Sequence, residues 1–185
     1  MKNYFKTLDG FATMEDQGEL FKELLKNLKP NDKLKIAEIG VYKGRMTVMI
    51  CDILSDMGIK AEYYCIDHFK GSAEHIQKNY YPEFSKNISG LDFDDIRVIP
   101  IPFESSEAAC HFKDCSLDIV YLDASHDYSS VKTDITAWLP KVRKGGIICG
   151  DDYISGWDGV IQAVDEAFGK ENIKRVGNQQ WWIRL

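Results

Sequence analysis

Three apolar runs of this sequence end abruptly in residues that could do chemistry. Ile36–Ile39 opens into Gly40, and Leu117–Leu122 stops at Asp123. Ile147–Cys149 is followed, after one glycine, by a pair of carboxylates. In an open α/β sheet, ligands and catalytic groups collect at the carboxyl ends of the strands. The three run ends therefore predict one site, placed in a crevice at one edge of a sheet.

The glycines after the first run have the spacing Glu38-x-Gly40-x-x-x-Gly44. A dinucleotide-binding loop needs Gly-x-Gly-x-x-Gly, so that the backbone can approach the pyrophosphate. Tyr42 stands at the middle glycine position, and its side chain would keep the backbone away from the phosphates. This spacing disfavours NAD and leaves a turn that allows close approach of a ligand without a pyrophosphate.

A further acid, Asp67, ends the apolar run Ala61–Ile66 and lies 27 residues after Gly40 (67 − 40). If the strands of these two runs are neighbours, the carboxylate faces the glycine turn. It can then accept hydrogen bonds from both hydroxyls of a ribose. The alternative is an acid at a strand end that is simply solvated.

The elements that would position these residues alternate between strand and helix. The hydrophobic periodicity predicts helices at 15–28, 45–57, 73–86, 105–111, 128–142 and 160–168. Strands are predicted at 34–39, 61–66, 96–101, 117–122 and 147–149, followed by a hairpin of 172–176 and 180–185. Ser105 or Ser106 is a candidate helix cap, and Lys144-Gly145-Gly146 a candidate helix end. The pattern predicts an α/β domain with a parallel sheet and one late antiparallel strand.

The composition fits one domain over residues 1–185, in which 1–30 form an N-terminal segment and helix that pack on the site or cap it. A net charge of −6 offers no basic footprint, so we expect no nucleic-acid partner. We also expect no membrane span and no signal peptide, and hence a cytoplasmic protein. Five cysteines without a Cys-x-x-Cys pair argue against a disulfide framework and a zinc site.

Four motifs together resemble the class I S-adenosylmethionine-dependent methyltransferases. They are Ala37–Gly44, Ile66–Gly71, Asp123–Asp134 and Gly145–Tyr153, and the last two are the more specific. Within that class the sequence is most similar to small-molecule O-methyltransferases of the macrocin and sugar-modifying type. The match extends from about Lys35 to Val176.

The resemblance implies a Rossmann-like, doubly wound, seven-stranded sheet in the order 3-2-1-4-5-7-6, with strand 7 antiparallel. It also implies S-adenosyl-L-methionine as the donor, with Glu38, Gly40 and Gly44 around its amino acid part. Asp67 would bind the ribose, and the Ser105-Ser106 turn would lie near the adenine. Asp123 would border the donor as well.

In this sheet order strands 4 and 5 are adjacent, so Asp123 would meet the pair Asp151 and Asp152. Carboxylates that lie so close raise one another's pKa unless a cation lies between them. An oxygen-only set suits a hard divalent ion, and we expect magnesium. The alternative for the Asp151-Asp152 pair is a helix cap or a solvated turn.

His126 follows Asp123 by three residues. An imidazole with an ordinary pKa of about 6.5 suits proton abstraction from an acceptor hydroxyl, so His126 and Asp123 are both candidate catalytic bases. His126 could instead pack its turn or orient Asp123. Tyr153 and Trp157, beside the acid pair, are candidates for contact with the acceptor.

The sequence thus predicts metal-assisted O-methylation of a small-molecule hydroxyl, on a sugar or a phenol. Completion of the acceptor pocket by a second subunit, in a homodimer, is left open. Two other functions also remain open. One is a nucleotide- or dinucleotide-binding oxidoreductase of Rossmann type, and the other is a catalytically silent methyltransferase-like module that only binds the donor.

Overall fold

A computed structural model describes residues 4–28, 33–71, 77–91 and 93–185. The strands are β1 (Leu34–Ile39), β2 (Ala61–Ile66), β3 (Ile96–Ile101), β4 (Leu117–Leu122), β5 (Val142–Gly150), β6 (Lys174–Val176) and β7 (Gln180–Arg184). They form one sheet in the order β3-β2-β1-β4-β5-β7-β6. Strands β1 to β5 run parallel, and β7 is antiparallel to both β5 and β6. The predicted fold class is confirmed.

The sheet is covered on both faces, which explains the continuous apolar runs of its central strands. All six residues of β4 are buried, as expected for a strand between two layers of helices. The helices are α1 (Glu19–Asn27), α2 (Arg45–Asp56), α3 (Tyr81–Ser89), α4 (Ser105–Ala109), α5 (Tyr128–Trp138) and α6 (Asp158–Phe168). Buried residues of α1, α2 and α3 form one core, and those of α4, α5 and α6 form the other.

Short helical turns complete the chain. Tyr4–Thr7, Leu139–Lys141 and Lys170–Asn172 are 3-10 turns, and Met14–Gly18 is a π-helical turn that leads directly into α1. The predicted helix over 15–28 therefore has a wider first turn, which is capped by the Thr13 hydroxyl through the N–H of Asp16.

All six predicted helices differ from the structure at one end or both by one residue or more, and two of these differences have a clear physical cause. Residues 73–76 of the helix predicted at 73–86 lie outside the described residues, and α3 begins only at Tyr81, with Pro82 in its first turn. Proline suits that position because its missing N–H has no partner inside the helix. α3 then continues to Ser89, into the segment predicted to be a loop.

The helix predicted at 128–142 ends at Trp138, because Pro140 forces the chain into a 3-10 turn. Val142 already begins β5, so the interpretation of Lys144-Gly145-Gly146 as a helix end is wrong. Instead, the two glycines fit an irregularity in the pairing of β4 with β5. A Cβ on Gly146 would lie 2.9 Å from the carbonyl oxygen of Asp118.

The prediction of a serine cap on α4 is also wrong. Glu104 holds the N-cap position without a side-chain hydrogen bond, and Ser105 is already the first helical residue. The prediction that Cys65 and Cys149 pack in the core is confirmed, because both are buried free thiols.

In the part of the chain that the structure describes, no helix combines the length and the apolar character needed to cross a bilayer.

Gly150 is the last residue of β5, and a substitution there can test how tightly the sheet packs next to the strand ends. A Cβ there would lie 2.5 Å from the carbonyl oxygen of Leu122 and 2.9 Å from the Trp181 ring. We expect Gly150→Ala to lower the free energy of unfolding by about 1 to 3 kcal/mol, the usual range for overpacking. Chemical denaturation measures the change.

The matched control is Gly90→Ala, because a Cβ at Gly90 meets no atom within 4 Å. Equal denaturation midpoints for the two variants would show that the end of β5 has room for a Cβ, contrary to the distances given for Gly150.

Candidate active site

The strand ends of the sheet open into a cavity of about 690 Å³. Backbone hydrogen bonds connect these strand ends to one another. The N–H groups of Gly40, Asp123 and Asp151 donate to the carbonyl oxygens of Ile66, Ile39 and Leu122, respectively. All of the predicted catalytic, donor-binding and metal-binding residues except Gly44 line this cavity. It is formed by the carboxyl ends of the parallel strands, together with part of the N-terminal segment.

Gly40 lets β1 and β4 approach each other at the floor of the cavity. Its φ is 87°, and an added Cβ would lie only 2.1 Å from the carbonyl oxygen of Asp123. Gly44 also has a positive φ, and a Cβ there would lie 2.8 Å from the Phe84 ring. The chain's own packing therefore demands both glycines, whatever ligand lies beside the turn.

Asp67 faces the glycine turn, as the sequence predicted. Its Oδ2 accepts hydrogen bonds from the N–H groups of Val41 (2.9 Å) and Tyr42 (2.8 Å), and its Oδ1 accepts one from Phe69 (2.6 Å). The carboxylate thus fixes the shape of the turn. Lone pairs of its oxygens remain for ligand hydroxyls.

Glu38 is 1% exposed, within the core below the cavity. The Thr47 hydroxyl donates to its Oε2 over 2.7 Å. Burial disfavours the charged form and raises the pKa of Glu38 to about 8, against the lowering effect of the hydrogen bonds. At neutral pH this carboxyl is mostly protonated.

Asp123, His126 and Asp152 meet at the other side of the cavity. One potential ligand atom from each lies within 4.8 Å of the others, and His126 Nε2 lies 2.9 Å from Asp152 Oδ2. Burial, together with the nearby charges of Asp151 and Asp152, raises the pKa of Asp123 well above its usual range. The His126 ring also packs against the Trp157 ring, with 4.1 Å between centroids and 35° between the ring planes.

Asp151, the third predicted metal ligand, is held by amides of the protein. It is 6% exposed, and it accepts hydrogen bonds from Gln17 Nε2 and Gln180 Nε2, each over 2.5 Å. The N–H of Asp152 also donates to its Oδ1 over 2.7 Å. The cluster of possible metal ligands therefore contains Asp123, His126 and Asp152, with His126 in place of the predicted Asp151. Asp151 lies next to this cluster and accepts the hydrogen bond from the backbone of Asp152.

The N-terminal segment both packs on the fold and lines the cavity. Leu20, Phe21 and Leu24 of α1 are fully buried, whereas residues 10–12 and Gln17 line the cavity. Arg45 holds the segment by donating to the carbonyl oxygens of Leu8 and Ala12, each over 2.8 Å.

Ser105 and Ser106 line the cavity beside α5. The Ser105 hydroxyl donates to Asp134 Oδ1 over 2.5 Å and accepts a hydrogen bond from Trp138 Nε1 over 2.9 Å. This network ties α4 to α5.

A family model described as a methyltransferase domain matches residues 37–153, more than half of the chain. The chain belongs to this methyltransferase family. The matched region contains all of the predicted catalytic, donor-binding and metal-binding residues, and the resemblance seen in the sequence is confirmed for the family. The N-terminal segment and the β6–β7 hairpin lie outside the matched residues.

Two curated relatives, both described as uncharacterized, are similar to parts of this chain. Protein y4gI of Sinorhizobium fredii is 25% identical over 64% of the chain, and protein R132 of Acanthamoeba polyphaga mimivirus is 29% identical over 71%. The aligned part makes up 13% of y4gI and 57% of R132.

Solved structures share the fold. The O-methyltransferase NovP superposes with a TM-score of 0.69 and 17% identity, covering 91% of this chain and 78% of its own. CalS11, a TDP-rhamnose 3'-O-methyltransferase, superposes with a TM-score of 0.65 and 15% identity, covering 90% of this chain and 76% of its own. At these identities the likeness establishes the methyltransferase fold alone.

The sequence did not reveal Gln17 and Gln180, and it assigned Tyr153 to the wrong role. Gln17 and Gln180 orient Asp151 from positions 134 and 29 residues away, and no local pattern marks either residue. Tyr153, a predicted acceptor contact, is instead buried and donates its hydroxyl to Asp165 over 2.6 Å. Trp157 does line the cavity.

Glu38 makes the stability of the protein dependent on pH. Its pKa is about 8 in the folded chain and about 4.5 when unfolded, so only the folded chain keeps the proton between these values. The contribution of Glu38 to the free energy of unfolding is fully present below about pH 4.5 and is lost as the pH rises through 8. Glu38→Gln, which stays neutral, should gain at least about 3 °C in Tm relative to the parent between pH 5 and pH 9.

The control is Glu107→Gln, an exposed acid on α4, for which we expect no such trend. A Tm difference for Glu38→Gln that does not change with pH would mean that Glu38 is already ionised in the fold.

Proposed function

We propose that this methyltransferase transfers the methyl group of S-adenosylmethionine to a hydroxyl of a small molecule. The proposal rests on the arrangement of the residues that line the cavity of about 690 Å³. Its glycine turn, braced by Asp67, lies beside Asp123, His126 and Asp152. One ligand could therefore contact the turn while its reactive end faces groups able to accept a proton.

The charge of the lining suits a cationic donor. Seven acidic residues line the cavity: Glu38, Asp67, Glu104, Asp123, Asp134, Asp151 and Asp152. Arg45 is the one Lys or Arg residue among the described lining residues, and it already donates to two carbonyl oxygens. A sulfonium and an α-amino group would both be attracted to this surface, whereas a pyrophosphate would be repelled.

The transfer itself is a single displacement. A bond forms between the acceptor oxygen and the methyl carbon, the carbon–sulfur bond breaks, and the sulfonium becomes a neutral thioether. The hydroxyl proton must leave the oxygen, and Asp123 or His126 is placed to receive it. Asp123 can receive this proton only when it is ionised, and a nearby cation such as the sulfonium would favour that state against the raised pKa that burial gives the group. The remaining task of the protein is alignment of the reactants.

Asp123, His126 and Asp152 also fit a divalent ion. Two carboxylates and one imidazole can each offer one ligand atom within 4.8 Å of the others. Magnesium, predicted for three carboxylates, prefers oxygen, whereas a set with one imidazole also suits manganese and other transition ions. When bound, such an ion would make a neighbouring hydroxyl easier to deprotonate.

The acceptor that we propose carries its hydroxyl on a sugar or a phenol. Trp157 lines the cavity next to His126 and offers a ring face to either. NovP and CalS11, which share the fold, are by name an O-methyltransferase and a sugar O-methyltransferase. We place the protein in the cytoplasm, because a reducing compartment suits its five free cysteines.

Calorimetry with S-adenosylmethionine tests the proposal. We expect the donor to bind with and without magnesium or manganese, and NAD not to bind. Asp152→Ala should lose at least about tenfold in affinity for the ion, since a ligand is removed, while donor affinity changes by less than about threefold. Tight binding of NAD would favour the oxidoreductase alternative.

Asp94→Ala is the matched control, an exposed acid remote from the cavity, and it should behave as the parent does. A donor-binding parent that takes up neither ion would remove the metal from the proposal and would leave the binding-module alternative standing.

His126→Ala separates a base from a metal ligand. If His126 is chiefly the base, methyl transfer falls by about 100-fold or more while ion affinity stays within threefold of the parent. If it is chiefly a ligand, ion affinity falls as in Asp152→Ala. Single-turnover rates and ion titrations on the same protein measure both effects, and a variant unchanged in both would exclude His126 from the machinery.

A further inference from the structure

A second cavity, of about 10 Å³, lies between the ends of β4 and β5 and the helices α5 and α6. Val131 of α5, Val160 of α6 and Trp181 of β7 contribute to its lining. Asp123 borders both this small cavity and the large one, whereas Trp181 borders the small one alone. The volume is about what one water molecule requires, and it is too small for an organic ligand.

Trp181 has a buried N–H group without a protein partner. The residue is 1% exposed, and among the described residues no acceptor forms a hydrogen bond with its Nε1. An indole nitrogen can only donate. Because a buried donor without an acceptor costs free energy, a molecule that accepts a hydrogen bond from Nε1 would be stabilising.

The N–H edge of the Trp181 ring lies at the point where β4 and β5 end. Trp181 pairs with Gly150, and a Cβ built on Gly150 would lie 2.9 Å from Trp181 Nε1 and 2.5 Å from the carbonyl oxygen of Leu122. Leu122 and Gly150 are the last residues of β4 and β5, so Asp123 and Asp151 follow directly. The unpartnered donor therefore lies next to the segments that carry the acids of both strand ends.

Four acids line the small cavity, and three of them already have a polar partner. The four are Asp123, Asp134, Asp151 and Asp152. The partners are the Ser105 hydroxyl for Asp134, two glutamine amides for Asp151, and His126 for Asp152. The carboxyl group of Asp123 accepts no hydrogen bond from the residues that the structure describes. Asp123 is therefore the acid that still lacks a donor.

We propose that the small cavity binds one water molecule, which accepts a hydrogen bond from Trp181 Nε1 and donates one to the carboxylate of Asp123. Water can do both because it is a donor and an acceptor, and a water bridge is nearly as favourable as a direct hydrogen bond. One molecule would thus satisfy two groups that the described protein atoms leave unpaired.

The water would also fix the direction of the Asp123 carboxylate. One of its oxygens would face the small cavity, which leaves the other for the large cavity, where a hydroxyl or a metal ion would lie. Trp181 would act through the water and touch no reactant, so it is a positioning residue. This role of Trp181 rests on the proposed function, whereas the water site does not.

A high-resolution crystal structure of the parent, grown with a chelator and without donor, tests the water site. We expect one density peak in the small cavity, about 2.9 Å from Trp181 Nε1 and about 2.8 Å from a carboxylate oxygen of Asp123. Trp181→Phe keeps an aromatic ring but removes the N–H group, so the peak should be lost from this position.

Trp182→Phe is the matched control. Trp182 is the next residue of β7, packs in the core on the other face of the sheet and borders neither cavity, so the peak should remain. If Trp181→Phe does not fold, the parent still carries the test, because its density either contains the peak or lacks it.

Titration with Mn²⁺ tests whether the water positions Asp123. Because loss of a partner that orients a metal ligand weakens metal binding, we expect Trp181→Phe to bind Mn²⁺ at least about tenfold more weakly than the parent, and Trp182→Phe to stay within about twofold. Loss of ring packing alone would lower Tm in both variants and would leave the affinity for Mn²⁺ unchanged.

A parent without the peak would overturn the inference, as would a peak outside hydrogen-bond distance of Trp181 Nε1 or of Asp123. A peak that persists in Trp181→Phe would remove Trp181 from the site. Unchanged affinity for Mn²⁺ in that variant would overturn its positioning role. A parent that contains the peak but binds no Mn²⁺ would instead overturn the metal in the proposed function, and the water site would stand.

Discussion

The close approach of β1 and β4 at Gly40 and Asp123 is the constraint on which the site depends. With 2.1 Å between a hypothetical Cβ and the Asp123 carbonyl oxygen, only glycine lets the two strand ends meet. The approach sets the glycine turn beside Asp123, so the two halves of the cavity share one rigid floor. Asp67 then fixes the turn through three backbone N–H groups.

Electrostatic repulsion is the cost of this arrangement. Acids from the ends of β1, β2, β4 and β5 gather around one cavity, and burial raises the pKa of Glu38, Asp123, Asp134 and Asp151. The protein offsets part of this with neutral donors: Thr47, Ser105, Gln17 and Gln180 each donate to one of these carboxyls. Cationic ligands would offset more, which agrees with a sulfonium donor and a metal ion.

Strands could be predicted from the sequence more reliably than helix ends. The bounds of β1 to β4 were predicted residue for residue, because each is a short, mostly apolar run that ends at a turn or at a polar residue. Only β4 is buried at all six positions. The errors lay at Pro82, Pro140 and Gly145, where backbone restrictions outweigh hydrophobic periodicity.

Carboxylates at strand ends were likewise visible from the sequence, since chain order and sheet order place them together. Their orientation was not visible. Asp151 and Asp152 are neighbours in the chain, yet one accepts hydrogen bonds from buried amides while the other faces His126. The positive φ of 61° at Asp152 separates their directions, and no residue pattern marked it.

The two side-chain amides that donate to Asp151 also have a consequence for the order in which the cavity is completed during synthesis. Gln17 and Gln180 are separated by 163 positions (180 − 17), so their shared carboxylate becomes oriented only when both distant segments have reached it. Strands β1 to β3 pair with one another and not with β7, and the turn that Asp67 fixes follows β1. Because β7 is the last strand in the chain, a chain interrupted before it would lack Gln180 and would leave Asp151 without one of the two amides that orient it. The two sides of the cavity would therefore be completed at different stages of synthesis.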